Sequence, residues 1–343
     1  MRRVTIFVCM FLVCIFSGCM LCGCGKAEEE KQEQNLVRAD APAYSQADIT
    51  VGFIQTGKES DWRDANTNDF LTTFTQPYGY NLIYIDGNSD SERQVKAMND
   101  LICQKVDYII LDPIVEQGWT DTLVKAKEAG IPVIVSDRRV DADEDLYTCW
   151  IGSDFETEGE KAAKWLADYL ESSKRSDETV RIVLLEGTQG ASAAIGRTKG
   201  LMQEMERHEN WQIVACECAN FTQGEGKTVM EQIIKEVGTF DVLISENDNM
   251  MFGAMKAMEQ AGISYGVDGD VITISFDALR EAFDLLIEGK LMVSVECNPL
   301  IAGLSQDVIR NLEAGTEVEK VNYVEESVFT YENAAQYLET RKY

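Results

Sequence analysis

From Ile49 onward the apolar residues come in short runs separated by polar, glycine-punctuated stretches. Ile49 to Ile54 is a run of strand type, and a helical stretch near Asp61 to Thr75 follows it. The unit recurs as strand Leu82–Ile85, helix Ser91–Cys103, strand Tyr108–Leu111, helix Gln117–Ala129 and strand Pro132–Val135. After Asp137 the cycle restarts with strand Tyr147–Ile151, helix Glu156–Leu170, strand Val180–Leu185, helix Ser192–Arg207 and strand Gln212–Cys216. Helix Gly226–Val237, strand Asp241–Ile244, helix Asn249–Ala261, strand Val271–Ser275, helix Ala278–Glu288 and strand Met292–Glu296 complete the alternation. Ile and Val runs without polar alternation predict strands buried on both faces, hence parallel sheets with helices on either side. Ala129-Gly130-Ile131-Pro132 and Ala261-Gly262 are helix stops. The expected fold is doubly wound α/β in two sheets, and 343 residues suit two domains of roughly 150 each.

The chain ahead of Ile49 follows a different pattern. Met1 to Arg3 carries two positive charges and Val4 to Phe16 is almost wholly apolar, the arrangement of an export signal. The apolar run is short for a membrane span of about 20 residues, although continuing it to Cys24 gives an uncleaved anchor. Ser17-Gly18-Cys19 and Leu21-Cys22-Gly23-Cys24 both resemble the lipobox of bacterial lipoproteins, in which the cysteine becomes lipidated and N-terminal. Leu21, three before Cys24, makes Cys24 the better match, with Cys19 the alternative. A double-chain lipid would hold a soluble domain on a membrane face. Residues 25–47 are polar, charged and apolar-poor, and read as a flexible linker.

Composition narrows the function. Lys and Arg number 31 against 59 Asp and Glu, a net charge of −28 that repels nucleic acid. Hydrophobic residues at 45% supply enough material for a buried core, which excludes wholesale disorder. The single histidine, His208, weakens every mechanism that needs imidazole, including Ser-His-Asp hydrolysis and His-rich metal sites. Five of the ten cysteines lie in the signal region and five in the body (103, 149, 216, 218, 297), an odd number that does not read as a disulfide framework. Cys216 and Cys218, two apart in a strand-like run, should share one face. Without a second cysteine pair or a nearby histidine they read as buried strand cysteines rather than as half a metal site.

In open α/β sheets ligands bind beyond the carboxyl ends of the strands. The first strand is followed there by Glu59, Trp62 and Arg63, and the fourth by Asp137 and Arg138. The Val180 strand leads to Arg197, and later ones deliver Phe221, Asn247, Asp277 and Glu296. Singly, each has an ordinary structural role: Trp62 as a core anchor, Asp137-Arg138 as a surface turn, Phe221 packed under its loop. Together they suit a sugar. Carboxylates and amides share hydroxyl protons, planar Arg donates to two neighbouring oxygens, and aromatic rings cover the C–H faces of a sugar ring.

At these residues the chain resembles the periplasmic substrate-binding proteins of ABC sugar importers, of the ribose- and galactose-binding type, and within them the galactofuranose-binding subgroup. The stretches that carry the resemblance are TVGFIQTGKESDWR (50–63), VSDR (135–138), GASAAIGRTKG (190–200), NFTQGEGKTVME (220–231), ENDNM (246–250), ISFD (274–277) and VECNPLIAG (295–303). The resemblance runs from about Asp48 to near the C-terminus. It implies two lobes closed over one monosaccharide, with three crossings near Ser153, Asn298 and Ser327. The lobes would comprise residues 48–153 with 298–327, and 154–297 with 328–343. Ring-stacking and hydroxyl-binding positions fall on Trp62, Asp137, Arg138, Arg197, Phe221, Asn247 and Asp277. Glu59 and Arg63 match the subgroup's first loop, and Glu296 a further polar position. The subgroup's Asp before the equivalent of Arg197 is Gly196 here, and its Ile-Asp-Gly is Phe276-Asp277-Ala278. The resemblance also implies a membrane permease as partner, a monomer, no cofactor or metal, and no catalysis.

Rival functions meet the same residues less well. No G-x-G-x-x-G follows the first strand, as a dehydrogenase would need, and Gly190 to Thr198 has the wrong spacing and the wrong cation for a phosphate-binding loop. The carboxylates could form a glycosidase acid/base pair, but Arg138 beside Asp137 favours the ionised form and disfavours a general acid. A sugar-responsive repressor would carry DNA-binding helices where this chain has its signal. A surface receptor reporting sugar to a chemoreceptor or sensor kinase has the same sequence features and is the alternative to transport.

Overall fold

The computed structural model describes residues 49–343; the signal segment, Cys19, Cys24 and the linker lie outside the described residues. The first sheet is built from Ile49–Gln55 (β1), Tyr80–Asp86 (β2), Tyr108–Leu111 (β3), Val133–Ser136 (β4) and Cys149–Gly152 (β5), with helices Asp61–Thr73 (α1), Ser91–Gln104 (α2) and Thr120–Glu128 (α3) between them. The second uses Val180–Glu186 (β6), Trp211–Cys218 (β7), Val242–Ser245 (β8), Ile272–Asp277 (β9) and Val293–Glu296 (β10). Its helices are Phe155–Ser172 (α4), Ser192–Met205 (α5), Gln223–Val237 (α6), Asp248–Ala261 (α7) and Arg280–Ile287 (α8). Ala302–Glu313 (α9), Val321–Tyr323 (β11) and Val328–Thr330 (β12) complete the described residues, apart from short 3-10 turns.

The strand orders are β11-β5-β4-β3-β1-β2 and β12-β10-β9-β8-β6-β7. Every named pairing is parallel except β10 with β12. The central strands β3, β4, β8, β9 and β10 are buried along their whole length, as the apolar runs of β3, β4 and β8 predict, while β9 and β10 bury Thr, Ser and an acidic end residue as well. The edge strands β2 and β7 are mostly half-buried or exposed. That edge position corrects the reading of the cysteine pair. Cys216 is exposed and Cys218 half-buried, because β7 has a neighbour on one side only.

Caps set the helix starts. Ser60, Asp90, Asp154, Thr222 and Asn247 each accept from the backbone N–H three residues on. Helix α3 starts at Thr120 rather than Gln117, since Gly118 has a positive φ of 94°. Helix α9 and strands β11 and β12 were not anticipated. Ala302, Ser305, Val308 and Ile309 do form a buried stripe of helical spacing, which is the signal for α9. The two strands are three residues long, too short for any period to register.

Helices α4 and α5 approach to backbone contact. A Cβ on Gly200 would lie 2.0 Å from Glu156 O, and one on Gly159 would lie 2.1 Å from Arg197 O. This closeness brings Arg197 against Glu158. The chain passes from the first sheet to the second after β5, returns after β10 to form α9 and β11, and crosses again before β12. Among the described residues no helix is long and apolar enough to cross a membrane.

Candidate functional site

The carboxyl ends of both sheets face one cavity. Its wall from the first sheet's side is Glu59, Ser60, Trp62, Arg63, Asp137 and Arg138, and from the second's Phe155, Ala193, Arg197, Phe221, Asn247, Asp277 and Cys297. The local backbone aims several of these side chains. The Ser60 cap fixes the first turn of α1, where Trp62 and Arg63 are buried. Asp137, Phe221, Asp277 and Ala278 have φ of 58°, 59°, 102° and 57°. Such left-handed backbone costs about 1–3 kcal/mol per non-glycine residue and collects at functional sites. Here it turns the chain sharply at the ends of β4 and β9 and in the loop after β7.

Three arginines dominate the chemistry. Arg63 reaches Asp137 Oδ2 at 2.7 Å, Asp112 Oδ2 at 3.2 Å and Glu59 Oε1 at 3.3 Å. Arg138 donates to Glu59 Oε1 at 2.5 Å and to Ile114 O at 3.2 Å, and its guanidinium lies 4.9 Å from the Phe221 ring centroid. Arg197 Nε donates to Glu158 Oε2 at 2.6 Å, its Nη2 lies 3.5 Å from Asp277 Oδ1, and its Nη1 donates to Glu246 O. The Nε atoms of Arg63 and Arg138 are buried and make no hydrogen bond with the protein. A buried donor left unpaired costs about 1–3 kcal/mol, which the Asp137 carboxylate 4.0 Å from Arg138 Nε offsets in part.

Arg63 faces three carboxylates, so burial decides which of them stay charged. For Glu59, burial alone would raise the carboxyl, but Arg138 and Arg63 outweigh it and hold it below its ordinary value. Asp112 is pushed up to about 8 by burial and by Asp137, against the pull of Arg63. On the other side burial raises Glu246 to about 8, and burial with Asp248 and Glu158 lifts Asp277 well above the usual range despite Arg197. The carboxyl groups in and behind the site are thus shifted in opposite directions, Glu59 down by its arginines and Asp277 up by burial.

Aromatic surface completes the lining. Trp62 Nε1 donates to Cys297 O at 2.6 Å, and Arg63 sits 4.5 Å from the Trp62 ring centroid. Asn247 spends its amide on the protein, donating from Nδ2 to Phe221 O at 3.0 Å and accepting from Met250 N at 2.9 Å. It shapes the cavity more than it offers free polar atoms.

Glu296 is not among the lining residues, which corrects its assignment. Its carboxylate accepts from Ser327 N at 2.9 Å, Arg341 Nη1 at 2.8 Å and Tyr343 Oη at 2.9 Å, and so ties the C-terminal segment to β10. The neighbouring Cys297 lines the cavity instead. Sequence reasoning also missed Ser60, Phe155 and Ala193. Phe155 follows the helix cap Asp154, and Ser60 is itself a cap, so both read from sequence as helix-start residues alone.

The two sides touch around the cavity. Asp61 N donates to Asn249 Oδ1 at 3.1 Å while Asn249 Nδ2 donates to Asp61 Oδ2 at 2.7 Å. Glu116 N donates to Gly190 O at 2.9 Å, and Arg139 N to Ser192 Oγ at 2.8 Å.

Residues 51–306 match the family model for the periplasmic binding protein domain. The chain is 33% identical to the galactofuranose-binding protein YtfQ of Escherichia coli K12, covering 86% of this chain and 92% of that protein. A Mycobacterium smegmatis protein crystallised with β-D-fucofuranose superposes with a TM-score of 0.81 at 38% identity, over 85% of this chain and 94% of that one. The binding component of the Shewanella sp. ANA-3 arabinose ABC transporter, bound to α- and β-L-arabinofuranose, gives 0.80 at 35% identity, over 86% and 96%.

Proposed function

This chain belongs to the periplasmic binding protein family, and from that premise we propose that it captures one monosaccharide in its furanose form for an ABC importer. The observation that carries the reading is the cavity itself. It joins the buried guanidiniums of Arg63, Arg138 and Arg197 to the rings of Trp62, Phe155 and Phe221 around one cavity. Guanidinium and carboxyl groups match vicinal hydroxyls, and the rings match the C–H faces of a sugar. The relatives named with galactofuranose, fucofuranose and arabinofuranose support a five-membered ring.

In this reading the sugar is bound and released unchanged. Glu59, Trp62, Arg63, Asp137 and Arg138 hold it from one lobe, and Arg197, Phe221, Asn247 and Asp277 from the other. The lobes are 48–153 with 298–327, and 154–297 with 328–343. Support for that division comes from β11 pairing with β5 and β12 with β10, which puts the last crossing between Tyr323 and Val328. The mature chain is a monomer anchored outside the cell membrane by a lipid on Cys24, or on Cys19. Mass spectrometry of the mature N-terminus distinguishes these, and an intact Met1 defeats the lipoprotein reading.

The test is a thermal-shift screen with L-arabinose, D-galactose, D-fucose, D-ribose, D-fructose and myo-inositol. A ligand at 100 times its Kd adds about 2.7 kcal/mol to stability. Furanose-forming aldoses should stabilise most, and binding of galactose should include a slow phase as scarce furanose is replenished from the pyranose pool. A response to myo-inositol alone, or to no sugar, overturns the furanose reading.

A further inference from the structure

One side chain touches all three passages of the chain between the sheets. Glu326 lies on the third passage, between β11 and β12. Its Oε1 accepts from Ser153 Oγ of the first passage at 2.5 Å and from Asn298 N of the second at 3.0 Å. Beside it stand Glu158 and Cys297, the ligating atoms of all three lying within 4.8 Å of one another. Glu158 is wholly buried on the first turn of α4 and gives Oε2 to Arg197, the guanidinium that faces the cavity. Its Oε1 is buried without a hydrogen-bond partner among the described residues, and a carboxylate oxygen of Glu158 lies within 4.8 Å of one of Glu326. Two buried carboxyl groups this close repel when both are ionised, and one proton between them relieves the repulsion.

We propose that Glu326 is a positioning residue that acts as a neutral carboxylic acid, gathering the three passages and steadying Glu158 so that Arg197 is held toward the sugar. Closure over the ligand is then coupled to a proton on this pair.

The surrounding charges favour that state. Arg197 is engaged by Glu158 and Asp277, and Lys161 Nζ reaches Glu326 through its backbone carbonyl at 3.5 Å rather than its carboxyl. Burial, then Glu158, pushes Glu326 up to about 9. The same three groups could in principle hold a divalent metal. However, burial and Glu158 raise the Cys297 thiol well above its ordinary value, and its Sγ lies 3.3 Å from Ser153 Oγ. A protonated thiol is a poor metal ligand, and a single proton satisfies the pair without it.

The functional half of this proposal rests on the sugar reading, so the test has two arms. In the first, thermal unfolding of the ligand-free mature chain is followed from pH 5 to 9.5 for wild type, Glu326→Gln and Glu326→Ala. The native state keeps a proton that the unfolded chain releases near the ordinary glutamate value of 4.5. Wild type should therefore lose melting temperature relative to Glu326→Gln as pH rises toward 9, with Glu326→Ala lowest throughout. Parallel curves overturn the shared proton. So does a melting increase with zinc ions that Glu326→Gln abolishes, which would put a metal there instead.

In the second arm, calorimetry with L-arabinose and D-galactose uses two buffers of different ionisation enthalpy at pH 9.5, above the Glu326 value of about 9. Wild type should take up most of a proton on binding at pH 9.5 and weaken about threefold from pH 7 to 9.5, and Glu326→Gln should do neither. Binding without proton uptake overturns the positioning role even if the first arm succeeds. Absence of binding by either sugar defeats the sugar reading and the positioning role with it, while the first arm still decides the shared proton.

Discussion

The indole Nε1 of Trp62 donates to the carbonyl oxygen of Cys297 at 2.6 Å, joining residues 235 positions apart. One end of this bond stands on the first turn of α1 and the other on the chain that leaves β10 toward α9. An aromatic wall of the cavity is thereby fastened to a passage between the two sheets. The orientation of that ring and the course of the passage cannot change independently.

Trp62→Phe keeps a ring face but removes the donor, leaving the Cys297 carbonyl unpaired in a buried site. The expected loss of stability is about 1–2 kcal/mol by chemical denaturation. Sugar affinity should fall several-fold, and further for Trp62→Ala. Equal stability of wild type and Trp62→Phe would show the hydrogen bond to be dispensable.

Arg138 and Glu296 should separate affinity from stability. Arg138→Ala removes the nearer of the two arginine partners of Glu59 and a guanidinium lining the cavity, so affinity should drop at least tenfold, which is about 1.4 kcal/mol. Glu296→Ala releases Ser327, Arg341 and Tyr343 from β10. It should lower the unfolding midpoint while changing affinity much less. Calorimetry and thermal unfolding on the two variants check this, and a larger affinity loss for Glu296→Ala would reverse the assignment.

Gly187 supports the Phe221 ring. A Cβ at position 187 would fall 1.9 Å from Phe221 Cζ, so the ring must move. Gly187→Ala should therefore displace it within the site and weaken sugar binding at least tenfold. Overpacking of this kind costs about 1–3 kcal/mol of stability. Unchanged affinity would show that Phe221 does not shape the bound sugar's environment.

Asp112 predicts a pH dependence of defined sign. Its native value, raised to about 8 by burial and opposed by Arg63, lies above the ordinary 3.8. The folded state thus holds a proton that the unfolded chain releases, and stability is lost as pH rises toward 8. Asp112→Asn is neutral at every pH. Its stability relative to wild type should improve by about 2 kcal/mol between pH 6 and 8, since one unit of pH is worth about 1.4 kcal/mol per proton and the group is half ionised only at the upper end. A flat difference would mean that Asp112 is ionised throughout.

Much of this protein was legible one residue at a time. Strands such as Tyr108–Leu111 and Val242–Ser245 announce burial on both faces by unbroken apolar runs. Because every parallel strand ends at the same edge of its sheet, the polar residues just after each run had to gather in space. Glu59, Trp62, Arg63, Asp137, Arg138, Arg197, Phe221, Asn247 and Asp277 do line one cavity for that reason. Edges were not legible. The Cys216–Cys218 run reads like a buried strand, and only the order β6-β7 leaves one flank of it open.

What the sequence by itself determined was the alternation of elements and the kinds of side chain at the strand ends, since both follow from local periodicity and the direction of parallel strands. The tertiary structure alone decided that Glu296 turns to Arg341 and Tyr343 while Cys297 lines the cavity. It alone decided that Glu326 meets Ser153, Asn298 and Glu158. These depend on how the two lobes and the C-terminal segment come together. Contacts between distant passages leave no period in the chain, because the partners are set by packing and burial rather than by neighbours in sequence.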